Sequence, residues 1–233
     1  MSDAAELTTL RSQVEAQGRD LADALHRLAL VEDRNAIERL QYAYGYFIDN
    51  RMFREMADLF SDRPDCWIEI GQRGRYRGKE RIHRFLDQAL GDGRWGLLKD
   101  EVINHVQQQP IITIAPDRSH AWSRARAQVQ GNSPPGTPHF LLPDGIYENE
   151  YVLENGQWKI LGLTVTMTYY VALERARIWF PSAPPSEDFP PDGPSQPVDE
   201  ALGRQFNPWH FQHPITGEEL PIPASRPATV PSA

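Results

Sequence analysis

Cysteine is almost missing from this chain. Cys66 is the only one, which excludes an internal disulfide framework and a cysteine-built zinc cage. No apolar run is long enough to cross a bilayer, and no charged-then-apolar leader follows Met1; the expectation is a soluble, cytoplasmic protein with no membrane partner. Positive charge is also short. Lys and Arg number 24 against 32 Asp and Glu, a net −8, so no nucleic-acid partner is expected. The one basic cluster, Arg73, Arg75, Arg77, Lys79, Arg81 and Arg84, has little aromatic interleaving and reads as a solvated face. Gly71, Gly74 and Gly78 do not follow dinucleotide spacing, and no G-x-S-x-G occurs. His210 and His213 form an HxxH without carboxylate or cysteine support. Neither metal nor cofactor is expected.

What is abundant is unevenly spread. About two-thirds of the 20 prolines follow Trp179, so the last part of the chain cannot be regular helix or central strand. Three regions result: a helical arm over residues 1–34, a packed domain over 35–180, and a proline-rich extension over 181–233. In the arm, Leu7, Leu10, Val14, Gln17, Leu21, Ala24, Leu28 and Val31 recur at steps of three and four. That is a coiled-coil seam with one polar member, and it predicts a homo-oligomer, dimer or trimer. Asp33 or Asn35 is the expected break between arm and domain.

A wider helical face follows at Ile37, Leu40, Tyr44, Phe47 and Ile48, ending near Asn50, with a second helix over 52–60. Next come a short strand at 66–70, which makes Cys66 a buried strand residue, a Gly- and Arg-rich turn, and a helix over 79–90. Beyond it the chain turns to strand: 102–114 with Pro110 at a bulge or edge, 119–130 with strict alternation, and a hairpin of 145–154 and 157–170 about Asn155-Gly156. Helices first and antiparallel strands afterwards make this α+β. Phe206, Trp209 and Phe211 are expected to dock, over a pocket mouth, and the chain beyond Pro221 to be disordered.

The helix pair ending in Tyr46-Phe47-Ile48-Asp49-Asn50-Arg51-Met52-Phe53, the Tyr76-Arg77-Gly78 ahead of Ile82 and Phe85, and the hairpin with Asn155-Gly156-Gln157-Trp158-Lys159-Ile160 resemble the SnoaL-like, scytalone-dehydratase-like branch of the nuclear-transport-factor-2-like superfamily. The resemblance covers about Ala36 to Tyr170. It implies a cone, with a strongly curved antiparallel sheet wrapped around helices and a deep pocket at the open end. It also implies a site: the dehydratases of this branch place an aspartate at the end of the first helix pair and a histidine on the next long strand. Asp49 and His105 occupy the matching places, and Tyr44 or Tyr46 matches a nearby tyrosine. Gln128 and Gln130 stand where those enzymes carry a second titratable residue, which leaves one base rather than two.

The chemistry of such a pair is independent of any family. Imidazole can take and return a proton near neutrality, and a carboxylate on one ring nitrogen sets the tautomer and steadies the imidazolium. His105 is therefore the expected general base and Asp49 its orienting partner, with Tyr44 as a hydroxyl donor. Tyr46, Tyr147, Arg124, Gln128 and Asn149 are the expected polar contacts to a small-molecule substrate, with Trp67 and Trp122 as an aromatic wall. The resemblance implies a cofactor-independent lyase for a hydrophobic, aromatic, hydroxylated compound. The reaction would be loss of water, or carbon–carbon cleavage with aldehyde release as in the deformylation of diarylpropane diols. A ketosteroid-isomerase-like isomerase and a non-catalytic binding or assembly module are the alternatives.

Overall fold

The computed structural model describes residues 3–132, 139–174, 188, 191, 194–195, 197–206, 208–209 and 211–228. Its first element, α1, is one unbroken helix over Asp3–Asp49, roughly 70 Å long at ~1.5 Å per residue. The expected break at Asp33 does not occur. Asp33 is buried, and its carboxylate accepts the indole N–H of Trp158 at 2.9 Å and the Arg118 guanidinium at 2.6 and 3.1 Å. A residue read as a local cap is instead a long-range anchor. It pins the helix to the sheet where the solvated arm becomes the buried face Ile37, Leu40, Tyr44, Phe47 and Ile48.

The helix stops through backbone geometry. Arg51 takes a left-handed φ of 53°, and the amides of Arg51 and Met52 return to the carbonyls of Ile48 and Phe47 at 3.1 and 2.8 Å. These are the two bonds of a glycine-type helix end, here built on an arginine at a cost of about 1 kcal/mol. The chain continues through α2 (Phe53–Asp58), β1 (Trp67–Ile70), β2 (Arg75–Arg77), α3 (Lys79–Arg84), a π-helical turn at Phe85–Leu90 and β3 (Arg94–Trp95).

Long strands follow: β4 (Ile103–Ile114), β5 (His120–Gly131), β6 (His139–Leu141), β7 (Asp144–Glu154), β8 (Gln157–Tyr169) and β9 (Ala172–Glu174). The sheet runs β2-β1-β8-β7-β5-β6-β9, with β4 also paired to β5. It is mixed rather than purely antiparallel, because β1 lies parallel to β8. The bulge expected at Pro110 is present as a register shift between Gln108 and Ile111, with Gln109 at φ 55°. Asn155 and Gly156 both adopt positive φ, 51° and 80°, as a two-residue hairpin turn requires. Ala121, Ser123, Ala125 and Ala127 turn inward along β5; their small side chains let the sheet close on α1.

The extension is tied down further along than expected. After β10 (Val198–Asp199) and β11 (Arg204–Gln205), β12 (Arg226–Pro227) pairs with β3. The Arg226 guanidinium lies 4.1 Å over the ring of Trp95, whose indole donates to Glu55 at 2.9 Å. Residues 222–228, expected to be disordered, are thus packed against the domain. Trp209 meets Tyr46 edge-on at 6.1 Å, with Phe206 and Phe211 against its own ring. The docked aromatics lie against the outer side of α1, where Phe211 borders a groove with Tyr42 and Tyr46. The turn at 133–138 and most of the proline run at 181–197 lie outside the described residues.

Candidate active site

The end of α1, the start of β4 and the facing part of β7 enclose a cavity of about 300 Å³, the lower end of the ~300–1,000 Å³ range of small-molecule sites. Asp49 is the last residue of α1, and one of its oxygens does two things. It accepts the backbone N–H of His105 at 2.7 Å and faces ring Nδ1 of the same histidine, also at 2.7 Å. The first bond fixes the strand against the helix end; the second fixes the ring. A carboxylate at Nδ1 holds the proton there and leaves Nε2 as the basic nitrogen on the ring's other side. Both side chains are largely buried, 13% exposed for His105 and 17% for Asp49.

Tyr44 and Tyr147 form the adjacent wall, their rings edge-to-face at 5.8 Å. The Tyr44 hydroxyl is fully buried and makes no hydrogen bond among the described residues. It lies near enough to the Tyr147 hydroxyl for each to perturb the other, without hydrogen-bond geometry between them. Burial drives the pKa of both phenols well above the usual tyrosine range, and the Asp49 carboxylate adds to it. They remain neutral donors. A buried hydroxyl with no partner costs on the order of 1–3 kcal/mol, so Tyr44→Phe should raise the melting temperature. If the hydroxyl serves a bound oxygen, the same change should lower kcat. Thermal unfolding and turnover measured side by side check both, and unchanged turnover would remove Tyr44 from the chemistry.

Apolar side chains complete the lining: Ile48, Phe53, Ile70, Ile103, Val165 and Met167. Gln130 and the exposed Arg73 stand at its edges. Arg51 also borders the cavity, held from behind by the Gly91 carbonyl at 2.6 Å and by Glu101 at 3.6 Å. Sequence reasoning did not assign Arg51 a role. Only its unusual φ marks it, and φ is not visible in a sequence.

Below the tyrosines, the inward face of β7 continues to Asn149 and Tyr151, which meet Gln41 of α1. Gln41 Oε1 accepts Asn149 Nδ2 at 2.9 Å and the Tyr151 hydroxyl at 2.8 Å; Gln41 Nε2 donates to Gln107 at 2.6 Å. Tyr151 also meets Ser123 at 3.0 Å, and Asn149 Oδ1 accepts the Thr164 amide at 3.2 Å. The amide of Asn149 is therefore consumed in a polar floor and does not line the cavity. Burial pushes Tyr151 up to about 12 despite the bonds from Ser123 and Asn149, which lower it. An unfolded tyrosine ionises near ~10. The folded state keeps these phenols protonated longer, so their contribution to stability is intact below pH ~10 and declines as pH rises above it. Alkaline unfolding should begin there, with phenolate absorbance from the buried tyrosines appearing only as the fold is lost.

The structure brings together His105, Asp49, Tyr44 and Tyr147. The other expected contacts lie elsewhere; those on β5 do so because alternation puts them on the outer surface. Trp122 is 45% exposed there, and Arg124 pairs with Glu148 at 2.6 Å. Gln128 borders a separate shallow groove with Asp144 and Tyr169. Trp67 covers the backbone of Gly162 and donates to Thr164 at 3.3 Å. Tyr46 lies under the docked extension. His213 is buried, with Nε2 at the Glu55 carbonyl (2.8 Å) and Nδ1 accepting the Ile215 and Thr216 amides, so both ring nitrogens have structural partners. His210 lies outside the described residues.

A long N-terminal helix with a curved mixed sheet closed over its end makes this a nuclear-transport-factor-2-like α+β fold. The chain belongs to the SnoaL-like domain family, whose model matches residues 29–164. Among solved structures it is similar to the type 2 hexachlorocyclohexane dehydrochlorinase at 22% identity, with a TM-score of 0.56 and coverage of 68% of this chain and 99% of that one. The type 3 enzyme from Novosphingobium barchaimii gives 22% identity, 0.55, and 67% and 99%. A Novosphingobium aromaticivorans protein named after scytalone dehydratase gives 22%, 0.51, and 61% and 88%. At such identities the likeness is one of fold. No curated protein matches the chain. No helix among the described residues is long and apolar enough to cross a membrane.

Proposed function

We propose that the protein is a lyase in which His105 is the only general acid/base, acting on a hydrophobic, aromatic, hydroxylated small molecule. The observation that carries this reading is the 2.7 Å Asp49–His105 contact beside a cavity whose Tyr44 hydroxyl has no partner among the described residues. A buried donor next to a buried base suits a substrate that offers one oxygen to each. The dehydrochlorinase and dehydratase names of the similar structures lend support, since both denote eliminations.

One imidazole suffices for either outcome. In dehydration, Nε2 takes a proton from carbon, the electron pair forms the double bond, and the imidazolium returns the proton to the departing hydroxyl as water. In carbon–carbon cleavage, Nε2 takes the hydroxyl proton, the C–O bond becomes a carbonyl, and the C–C pair passes to the neighbouring carbon, which the imidazolium protonates. The inventory around the cavity favours cleavage, because among the described lining residues no second histidine or carboxylate stands opposite His105 where two-base dehydration would need one. Deformylation of a diarylpropane diol is the narrower form of this reading. The test is product analysis of the purified protein with aromatic 1,3-diols and hydroxy ketones. Aldehyde release supports cleavage, an unsaturated product without aldehyde redirects it to dehydration, and a shifted double bond alone makes it an isomerase. Tight binding without turnover leaves a binding module.

A further inference from the structure

The first thirty residues of α1 leave the body of the molecule, and their apolar side chains touch nothing in the described chain that would shield them. Leu7, Leu10, Val14, Leu21, Leu25, Leu28 and Val31 are each between 51% and 66% exposed. All belong to one stripe: steps of three and four carry it from Leu7 to Val31, and Leu25 widens it. A lone helix of this length gains nothing by exposing such a stripe, and Gly18 in its interior weakens it further. We infer that the arm pairs with the arm of a second copy of this chain, parallel and in register.

The partner and its direction follow from the charges beside the stripe. With Leu7, Val14, Leu21 and Leu28 as one seam position and Leu10, Gln17, Ala24 and Val31 as the other, the flanking residues are Glu6, Gln13, Asp20 and Arg27 on one side. Arg11, Gly18, Leu25 and Glu32 flank the other side. In a parallel pair, each residue of the first set faces the residue five further along in the other copy. Glu6 then faces Arg11 and Arg27 faces Glu32, and no like charges meet. Antiparallel pairing over the same layers sets Asp20 against its own equivalent and buries Gln17 against Leu21. Parallel pairing places Gln17 on Gln17, where the two amides can bond each other and lock the register. Glu6, Arg11, Arg27 and Glu32 form no salt bridge among the described residues, although Arg118 lies near enough to Glu32 to feel its charge. The inference stands independently of the chemistry at His105.

Sedimentation equilibrium of the full chain at micromolar concentration tests it. The expected mass is at least twice the 26.6 kDa of one chain, falling to one chain in Leu21→Lys/Leu28→Lys with cooperative unfolding of the domain retained. Arg27→Glu alone should weaken association several-fold, and adding Glu32→Arg should restore it. Direction is read by Gln17→Cys, because Cys66 is buried: parallel arms cross-link to a disulfide dimer under mild oxidation. A monomeric wild type overturns the proposal, as does an oligomer that the lysine variant leaves intact. Cross-linking that occurs only between Gln17→Cys and Leu21→Cys chains overturns the parallel register.

Discussion

His105→Ala is expected to lower turnover by about 10²–10⁴-fold, the range that a positioned general base contributes, without loss of the fold. The ring itself is partly replaceable as packing, because its neighbours Ile103 and Val129 are apolar and flank it in the lining. Asp49→Asn is the sharper experiment. An asparagine oxygen can still accept the His105 amide, so the contact between helix end and strand persists. That same oxygen faces Nδ1 and can still accept the ring N–H, so the tautomer is kept, but the negative charge that steadies the imidazolium is gone. A loss of up to about 10⁴ is expected for a catalytic histidine deprived of its carboxylate. Assays of both variants on whichever compound the wild type converts decide the matter. Turnover that survives both changes would place the reaction with another cavity residue.

Gln41→Ala should cost roughly 3–5 kcal/mol and lower the melting temperature by about 10 °C, at ~2–4 °C per kcal/mol for a protein of this size. Gln41 is 5% exposed. Removing its amide takes a partner from the Tyr151 hydroxyl, Asn149 Nδ2 and Gln107 Oε1 in one step, although Tyr151 keeps Ser123, and leaves a void in the buried floor. A water entering the gap would recover part of the loss, so Gln41→Leu, which fills the space but bonds nothing, separates the two contributions. A drop of less than about 1 kcal/mol in Gln41→Ala would mean that water restores the network.

These two sites were legible to different degrees. Asp49 and His105 could be read because a helix end and a long strand are recognisable in one dimension, and a resemblance of pattern supplied their pairing. Nothing in local spacing says that Gln41 meets Asn149 and Tyr151, which are more than 100 positions away. The same limit explains Asp33: a carboxylate at that point looks like a helix boundary until Trp158 and Arg118 are folded against it. Alternation along β5 was visible, but alternation does not say which side faces in. The bulky set Trp122, Arg124 and Gln128 was assigned to the cavity, whereas the small set Ala121, Ser123, Ala125 and Ala127 is the buried one. Pro110 and Asn155-Gly156 carry their conformations within two residues, so bulge and hairpin were readable. Pairing of β12 with β3 joins the extension to the middle of the domain, and proline content alone pointed the other way.

The strap formed by β3 and β12 reaches the site by a short route. The amide of Gly96, beside β3, donates to the carbonyl of Arg51 at 3.1 Å, and the Arg94 guanidinium holds Glu101 at 2.7 and 2.8 Å, the same carboxylate that faces Arg51. Arg51 is two residues past Asp49. The turn that follows Asp49 is thus held by residues beside β3, which the extension straps down through β12. For an engineer, the stretch around Arg226 is a poor place to graft a tag or trim a residue. What looks like a dispensable fringe is the far end of a lever whose short arm carries the aspartate.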